Sequence, residues 1–439
     1  MKDIVLEIFA QQPLEIYTQI CFCYAFGDNS RDLVVEILQN GLQSLTTSFP
    51  WVSGQVIKDT ESGLYKITSL GDTPRLIVKD LTESLSMDKL RNAGFPCSML
   101  DEETIAPRST LPGVFSDSEE SPCFLIQASF IQKGLILTFL AHHQVFDGTG
   151  EGQIISLLSK ACRGEPFTAE ELATGNMNRE NIVKLFTEEE EKEYGELKIG
   201  LEKQIIPEKP LTFEPAESFW ATFTFSADSL KELKALASQN LRSVPFVSTD
   251  DTLTAFIWQT LSRARSSRLP ESSKTSIARA INVRPYLGIP STYPGVINNM
   301  TYNDYELRDI VQLPLGEVAS SLRSRIDKRT SQLAKDSRAL ATLIDATRDS
   351  PITSATASIY VPSDIALSSW AQQNSYSLDF GLNLGKPESV RRPQFTPVES
   401  LAYILPKSLE GDISVVICLR EEDMEKLRSE IGKYAQYVR

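Results

Sequence analysis

Two hydrophobic rhythms alternate along the chain: strict apolar–polar alternation, which predicts strands, and apolar residues returning every three or four positions, which predicts helices. Over 31–49 the residues Leu33, Val34, Ile37, Leu42 and Leu45 share one helical face, and Pro50 ends the run. "GLYKITS" and "RLIVKD" predict short strands. An acidic loop, "SDSEESP", leads into "CFLIQASFIQKGLILTFLAHH", which predicts a hairpin of two apolar strands turning at Gln132, Lys133 and Gly134. After "HHQVFDGTG" the period changes. Ile154, Ile155, Leu157, Leu158 and Ala161 line one side of a helix, with Gly164 at its C-terminal cap.

A polar stretch follows, and its acidic run Glu188–Glu191 with Glu193 reads as a solvated helix face or linker. The apolar pattern then restarts. Phe219, Ala221, Phe223 and Phe225 alternate as a strand, and Ser226 or Asp228 caps the next helix. "STDDTLTAFIWQTLSRAR" predicts a second capped helix with Leu253, Phe256, Ile257 and Leu261 inward. "TSIARAINVRP" predicts a strand, and the C-terminal stretch predicts strand, turn at Glu410–Asp412, strand and helix. The pattern therefore divides the chain into an N-terminal domain over 1–185, a crossover segment over 186–215 and a C-terminal domain over 216–439.

Composition narrows the function classes. A formal charge of −14 on 439 residues argues against nucleic-acid binding and makes any anionic ligand depend on a local basic patch. No apolar run is long enough to span a bilayer. The opening "MKDIVLEIFAQQP" lacks the pattern of a secretory leader, so the expected location is the cytoplasm. Six cysteines show neither metal-ligand nor disulfide spacing, which fits reduced thiols and no metal. Cys21 and Cys23 fall on one face of a buried strand. Without heptads or a sustained apolar stripe, the chain is expected to be a monomer.

Candidate chemistry is concentrated in one place, because the only two histidines are adjacent in "LAHHQVFDGTG". An imidazole titrates nearest to neutral pH and is the usual general base. At the mouth of the apolar strand "LILTFLA" it would be rigid and partly desolvated, hence neutral and able to accept a proton. Asp147 can cap the following helix or hold a cation, and Gly148 permits a sharp turn. A satisfied, half-buried polar cluster is the plain alternative. There is no G-x-S-x-G elbow, P-loop or H-E-x-x-H, and "GTGEG" has the wrong spacing for a dinucleotide fingerprint.

His-His-x-x-x-Asp-Gly after a buried strand, with Asp-Phe-Gly in "LDFGLNLGKPESVRRP", resembles the BAHD acyl-CoA-dependent acyltransferases. The fungal branch related to trichothecene 3-O-acetyltransferases is the nearest in pattern, through "PWVSGQV", "TIAPRSTLP", "FVSTDDTLTAFIW", "YPGVINNMTY" and "PVESLAYILPK". The resemblance implies an α/β fold of two domains like chloramphenicol acetyltransferase, each a mixed sheet flanked by helices, with a channel between them. It implies an acetyl-CoA-dependent O-acetyltransferase, with acetyl-CoA as co-substrate and no permanently bound cofactor. The acceptor would be a small-molecule alcohol, a trichothecene-like terpenoid or an alkaloid. N-acylation of an amine and a non-catalytic binding role on the same fold are the alternatives.

The resemblance also assigns candidate residues. His143 would be the base, with Asp147 and Asp379 in the catalytic positions of the two motifs. Asp147 is expected to turn away and hold Arg284, and Asp379 to shape the channel. Ser248, Thr249, Arg284, Lys386 and Arg391 are the candidates for binding the cofactor, with Arg392 in the same basic group. "FPCSMLDEE" and "VPSDIALSSW" are candidate pocket segments. "DFGLNLG" lacks the tryptophan of the plant motif Asp-Phe-Gly-Trp-Gly, and "YPGVINN" keeps only the tyrosine and glycine of Tyr-Phe-Gly-Asn.

Overall fold

The hairpin over 123–143 forms the middle of a five-stranded sheet in the computed structural model, which describes residues 2–27, 30–71, 75–114, 120–194, 200–209 and 211–439. Strands Phe124–Ile131 and Gly134–His142 pair antiparallel, and every residue of both is buried. Lys133 makes the tight turn at φ 57°, beside Gly134. Tyr17–Ala25 lies antiparallel on the other side of Gly134–His142, placing Tyr17 opposite His142. Leu76–Asp80 closes one edge in parallel with Phe124–Ile131. The other edge is Ser389–Arg391, a segment from far along the chain that pairs antiparallel with Tyr17–Ala25. Residues 116–119 of the acidic loop lie outside the described residues.

Cys21 and Cys23 share the face of Tyr17–Ala25 that packs on Met87, Leu90 and Ile136. A small sheet of Ile4–Val5, Tyr65–Ser69 and Gly54–Lys58 sits beside the larger one.

The seven-stranded sheet is drawn entirely from the second half. Its order is Asn298–Glu306, Lys274–Asn282, Ile365–Ser369, Leu401–Ile404, Ile413–Arg420, Ser218–Phe225 and Ala435–Val438. Ile365–Ser369 is parallel to both its neighbours and the remaining pairs are antiparallel. Sheets that mix parallel and antiparallel pairs, flanked by helices, make this an α/β protein.

The helix Thr249–Arg265 departs from the expected one-sided burial. It is buried nearly all round, because Ala227–Ala237, Leu315–Ser324 and Glu421–Ile431 pack against it. Its buried charges are paired: Asp251 with Arg279 at 3.0 Å and Arg265 with Asp423 at 3.0 Å. The acidic helix Glu188–Tyr194 buries nothing, and Glu190 reaches Arg338 at 2.6 Å. One apolar core continues from the five-stranded sheet into Trp220, Val283, Tyr293 and Trp370 of the second half. A second core belongs to the seven-stranded sheet. The HHxxxDG loop therefore lies where the two halves of the chain are packed together.

Candidate active site

The strand Gly134–His142 ends by pairing His142 with Tyr17, and the next residue, His143, donates its main-chain N–H to the Ile16 carbonyl at 2.9 Å. The adjacent imidazoles then diverge. The His142 ring is buried, meets the Tyr17 ring edge-on at 5.0 Å, and accepts the Gln144 N–H at Nδ1 over 3.2 Å. Burial, helped by His143, pushes its pKa down to about 3, so His142 is neutral with its proton on Nε2.

His143 is half-buried. Its Nδ1 is enclosed and makes no well-formed hydrogen bond, and Nε2 has neither a protein partner nor full enclosure. Burial lowers its pKa; its own carbonyl and Asp147 oppose the shift, and Arg392 adds to it. The own-carbonyl contact favours the proton on Nδ1, which leaves the Nε2 lone pair without a protein partner. A neutral imidazole with one nitrogen free can accept a proton from a ligand.

Asp147 caps the helix Gly148–Cys162 and is buried. Its Oδ1 accepts from Gly150 N–H at 2.8 Å and Arg284 Nη2 at 3.0 Å; its Oδ2 accepts from Arg284 Nη1 at 2.8 Å and Ile297 N–H at 2.9 Å. No lone pair is left to serve a reacting group, so the carboxylate positions the loop rather than touching substrate. Arg284 is fully buried and all five of its N–H bonds are committed: Nε to the Tyr293 carbonyl, the others to Asp147, Asn282 and the Gly295 carbonyl. The expected cofactor contact by Arg284 is corrected accordingly; the residue is the counter-ion of Asp147.

The "YPGVINN" segment is the partner surface for this loop. Besides the bonds from Tyr293, Gly295 and Ile297, it brings the Pro294 carbonyl so close that a Cβ on Gly150 would lie 1.9 Å from it. Glu7 and Arg179, buried and paired at 3.0 Å, brace the same segment through the Val296 N–H and the Tyr293 ring.

Other expected residues fall elsewhere. The Asp379 carbonyl accepts from Ser159 and Arg163 at the C-terminal end of Gly148–Cys162, and its carboxylate accepts from Gly381 N–H at 2.8 Å. That 15-residue helix runs roughly 22 Å from Asp147, so Asp379 is corrected from a catalytic position to a turn at the far end. Arg391 is buried with its guanidinium on the Phe95, Gly94 and Val390 carbonyls and the Tyr376 hydroxyl, which removes it from phosphate binding. Lys386 is exposed and borders neither of the hollows near the motif.

Two hollows do open near the motif. One of about 520 Å³ is lined by Gly148, Thr149, Asn282, Ser369 and Trp370 at the start of the helix. A groove of about 650 Å³ shares Asp250 and Gln372 with it and is bordered by Ser248 and Thr249. Ser248 there is committed to a capping box with Asp251, donating to its carboxylate at 2.7 Å and accepting its N–H at 3.1 Å. Lys231, Lys234 and Lys407 line the groove. Sequence reasoning passed over these lysines because Lys231 and Lys234 read as the ordinary solvated face of the helix Ala227–Ala237, and Lys407 joins them from far along the chain. Among the described residues no cluster of His, Cys, Asp and Glu could hold a metal ion.

The chain is similar to known proteins over nearly its whole length. A family model described as the trichothecene 3-O-acetyltransferase-like N-terminal domain matches residues 16–162. O-acetyltransferase dmxR13 of Cryptosporiopsis sp. (strain 8999) is 45% identical, with 99% of this chain and 97% of the relative covered. Trichothecene 3-O-acetyltransferase TRI101 of Fusarium sporotrichioides is 44% identical over 99% and 97% of the two chains. The crystal structure of F. graminearum TRI101 with coenzyme A and deoxynivalenol superposes with a TM-score of 0.94 at 38% identity, covering 100% of each chain.

Proposed function

The chain belongs to the trichothecene 3-O-acetyltransferase-like family of O-acetyltransferases, and from that premise we propose that it acetylates a hydroxyl of a fungal secondary metabolite with His143 as general base. The acceptor class is a trichothecene-like terpenoid or an alkaloid, and acetyl-CoA is the co-substrate, with no permanently bound cofactor. The observation that carries the reading is a single one: His143 is neutral, its Nε2 is free, and its loop is fixed by a buried ion pair.

The reaction needs only this base. In a ternary complex Nε2 takes the proton from the acceptor hydroxyl, and the oxygen attacks the thioester carbonyl carbon. The tetrahedral intermediate collapses by breaking the C–S bond, and the CoA thiolate recovers the proton from the imidazolium. Ester and free thiol are the products, and no covalent acyl-enzyme intervenes. Lys231, Lys234 and Lys407 supply the local positive charge that CoA phosphates require on a protein of net charge −14. Thr249 in the same groove lies beside the helix start of Thr249–Arg265.

The domain division at 1–185, 186–215 and 216–439 places His143 on the first half and this groove on the second. No described helix is long and apolar enough to cross a membrane, and the six unpaired cysteines suit a reducing compartment; we place the chain in the cytoplasm as a monomer. The test is CoA release, followed with a thiol-reactive dye, from acetyl-CoA and a panel of hydroxylated terpenoids and alkaloids that includes deoxynivalenol. Dye-detected thiol appearing only when an acceptor is present supports the reading. No acceptor-dependent release across the panel overturns it.

A further inference from the structure

The motif loop is held from a second side by residues that the mechanism leaves without a task. Glu7 is fully buried where the chain passes from the strand Ile4–Val5 into the 3-10 turn Ile8–Gln11. Its carboxylate meets Arg179, whose Nη1 lies 3.0 Å from Oε2 and 3.3 Å from Oε1. The same Nη1 donates to the Val145 carbonyl at 3.1 Å, in the middle of the stretch between His143 and Asp147. Arg179 is buried too, with its guanidinium over the Trp51 ring at 4.5 Å. One residue earlier, the Gln144 side-chain amide donates to the carbonyls of Ala10 at 3.1 Å and Gln12 at 3.3 Å. The segment 7–12 therefore lies along the motif and is tied to it at two successive residues.

Glu7 also reaches the second half of the chain. Its Oε1 accepts the Val296 N–H, and its Oε2 stands 3.4 Å from the Tyr293 hydroxyl. The next amide, Ile297 N–H, goes to Asp147 at 2.9 Å. Two consecutive amides of the "YPGVINN" segment are thus taken by two carboxylates of the first half, each paired with a buried arginine, Arg179 for Glu7 and Arg284 for Asp147. Gly295 makes the first approach possible, since a Cβ there would lie 2.2 Å from Glu7 Oε1. A buried carboxylate and guanidinium cost more to desolvate than their attraction returns unless further hydrogen bonds complete them. Here those further bonds go to main-chain atoms of the motif and of the segment opposite. The Nδ1 of His143 has no such anchor, so the main chain on either side sets where the ring stands.

We propose that Glu7 is a positioning residue for acetyl transfer: through Arg179 it fixes the Val145 carbonyl, through the Val296 N–H it fixes the other half of the chain, and together these bonds set where His143 Nε2 stands relative to bound acetyl-CoA. The inference rests on His143 being the base and deepens that reading; Glu7 itself touches no substrate. A general base works only within hydrogen-bond reach of the proton it takes, and the oxygen it activates must also lie close to the thioester carbon. A displacement of about 1 Å can therefore cost a hundredfold in rate. Asp147 and Arg284 hold the far end of the motif at the helix cap, whereas Glu7 and Arg179 hold its middle, two residues from the imidazole. Losing the second pair moves the base and leaves in place the lysine-lined groove, which other residues form.

The experiment compares the full chain with Glu7→Gln and with the double variant Glu7→Gln, Arg179→Met, using acetyl-CoA and deoxynivalenol. Glu7→Gln keeps an oxygen for the Val296 N–H but leaves Arg179 charged and unpaired. Its kcat is expected to fall by about tenfold to a hundredfold, with both KM values in place. The double variant removes the bare charge, so it is expected to fold and to melt closer to wild type. Its kcat stays low all the same, because the Val145 carbonyl has lost its donor. A second readout needs no acceptor. With ring-labelled histidine the chain gives two imidazole NMR signals, since it holds two histidines, and His143→Ala identifies which is which. The His143 signal is expected to shift in both Glu7 variants, while that of His142, packed on Tyr17, stays. Recovery of kcat together with stability in the double variant, a loss confined to KM, or an unmoved His143 signal overturns the positioning role and leaves His143 as the base. Wild type that releases no CoA with any acceptor of the panel overturns the proposed function instead, and the two imidazole signals then decide by themselves whether Glu7 places His143.

Discussion

Arg284 donates to both carboxylate oxygens of Asp147, at 2.8 and 3.0 Å, and so ties the loop that follows His143 to the second half of the chain. A buried pair of this kind contributes little net stability beyond what packed hydrocarbon would give, but losing one partner leaves a bare charge in the interior. Asp147→Asn keeps an oxygen for the Gly150 cap and removes the counter-charge of Arg284. The expected cost is about 3–5 kcal/mol in urea unfolding. Asp147→Asn combined with Arg284→Met should lose less than Asp147→Asn alone. If the double variant is the less stable one, the ion-pair account of this loop is wrong.

Gly150 sits against the Pro294 carbonyl, where an added Cβ would come within 1.9 Å of a main-chain oxygen. Backbone cannot yield as a flexible side chain can. Gly150→Ala is therefore expected to be as harmful as Asp147→Asn, with a clear drop in melting temperature. Gly164→Ala is a useful contrast, since only its φ of 69° opposes the change and a Cβ there meets open space. A smaller drop is expected, about 1 kcal/mol.

His143→Ala should reduce kcat by at least about a hundredfold, the usual scale for a general base. The melting temperature should change little, because its Nδ1 holds no hydrogen bond whose loss would loosen the loop. Its lowered pKa places the acid limb of kcat/KM below the ordinary imidazole value of 6.5, so activity should stay level down to that pH and fall only beneath it. CoA release by His143→Ala at the wild-type rate would remove the catalytic assignment.

Stability against pH carries two opposed slopes. His142 has a folded pKa of about 3 against 6.5 when unfolded, so the unfolded chain binds the extra proton and stability is lost as pH falls from 6.5 towards 3. Glu151 has a folded pKa of about 8 against 4.5, so its contribution is complete below 4.5 and is lost as pH rises towards 8. Above pH 6.5 only the second of these slopes remains. Between pH 6.5 and 8 wild type is expected to lose roughly 2 kcal/mol on this account, and Glu151→Gln to be flatter. Urea melts of both proteins at the two pH values decide it; identical slopes would mean that Glu151 ionises normally in the folded chain.

The groove lysines make a separate prediction. Lys234→Glu and Lys407→Glu should each raise the KM for acetyl-CoA by roughly threefold to tenfold, as expected for a partly exposed cation facing phosphate. Kcat should be unchanged, and the effect should shrink in high salt. Lys386→Glu, on an exposed residue that borders neither hollow, should leave that KM where it is.

Much of the site was legible from residue order because its parts are close in sequence. The apolar hairpin, the two histidines, Asp147 as a helix cap and the glycine-rich start of the next helix all lie within 30 residues, and local periodicity locates each. The Asp147–Arg284 pair was also expected, from family resemblance and not from spacing. The basic group Lys386, Arg391 and Arg392 was misleading for a physical reason. Three cations close in sequence on an irregular segment and an edge strand point in different directions, and here one is solvated while two are drawn into the interior by carbonyls and aromatic rings. Glu151 carried no warning either, since a glutamate in the first turn of a helix usually faces water.

The amino-acid order by itself thus determined the apolar hairpin, the helix after the motif and the position of the imidazole pair, since these depend on interactions within one strand, one turn or one helix. It did not determine which histidine is locked and which is free. That depended on Tyr17 packing edge-on against one ring and on the other being left without a hydrogen-bond partner. Nor did it determine which charges are available to a ligand, because burial and pairing are decided by segments that meet only when the chain is folded.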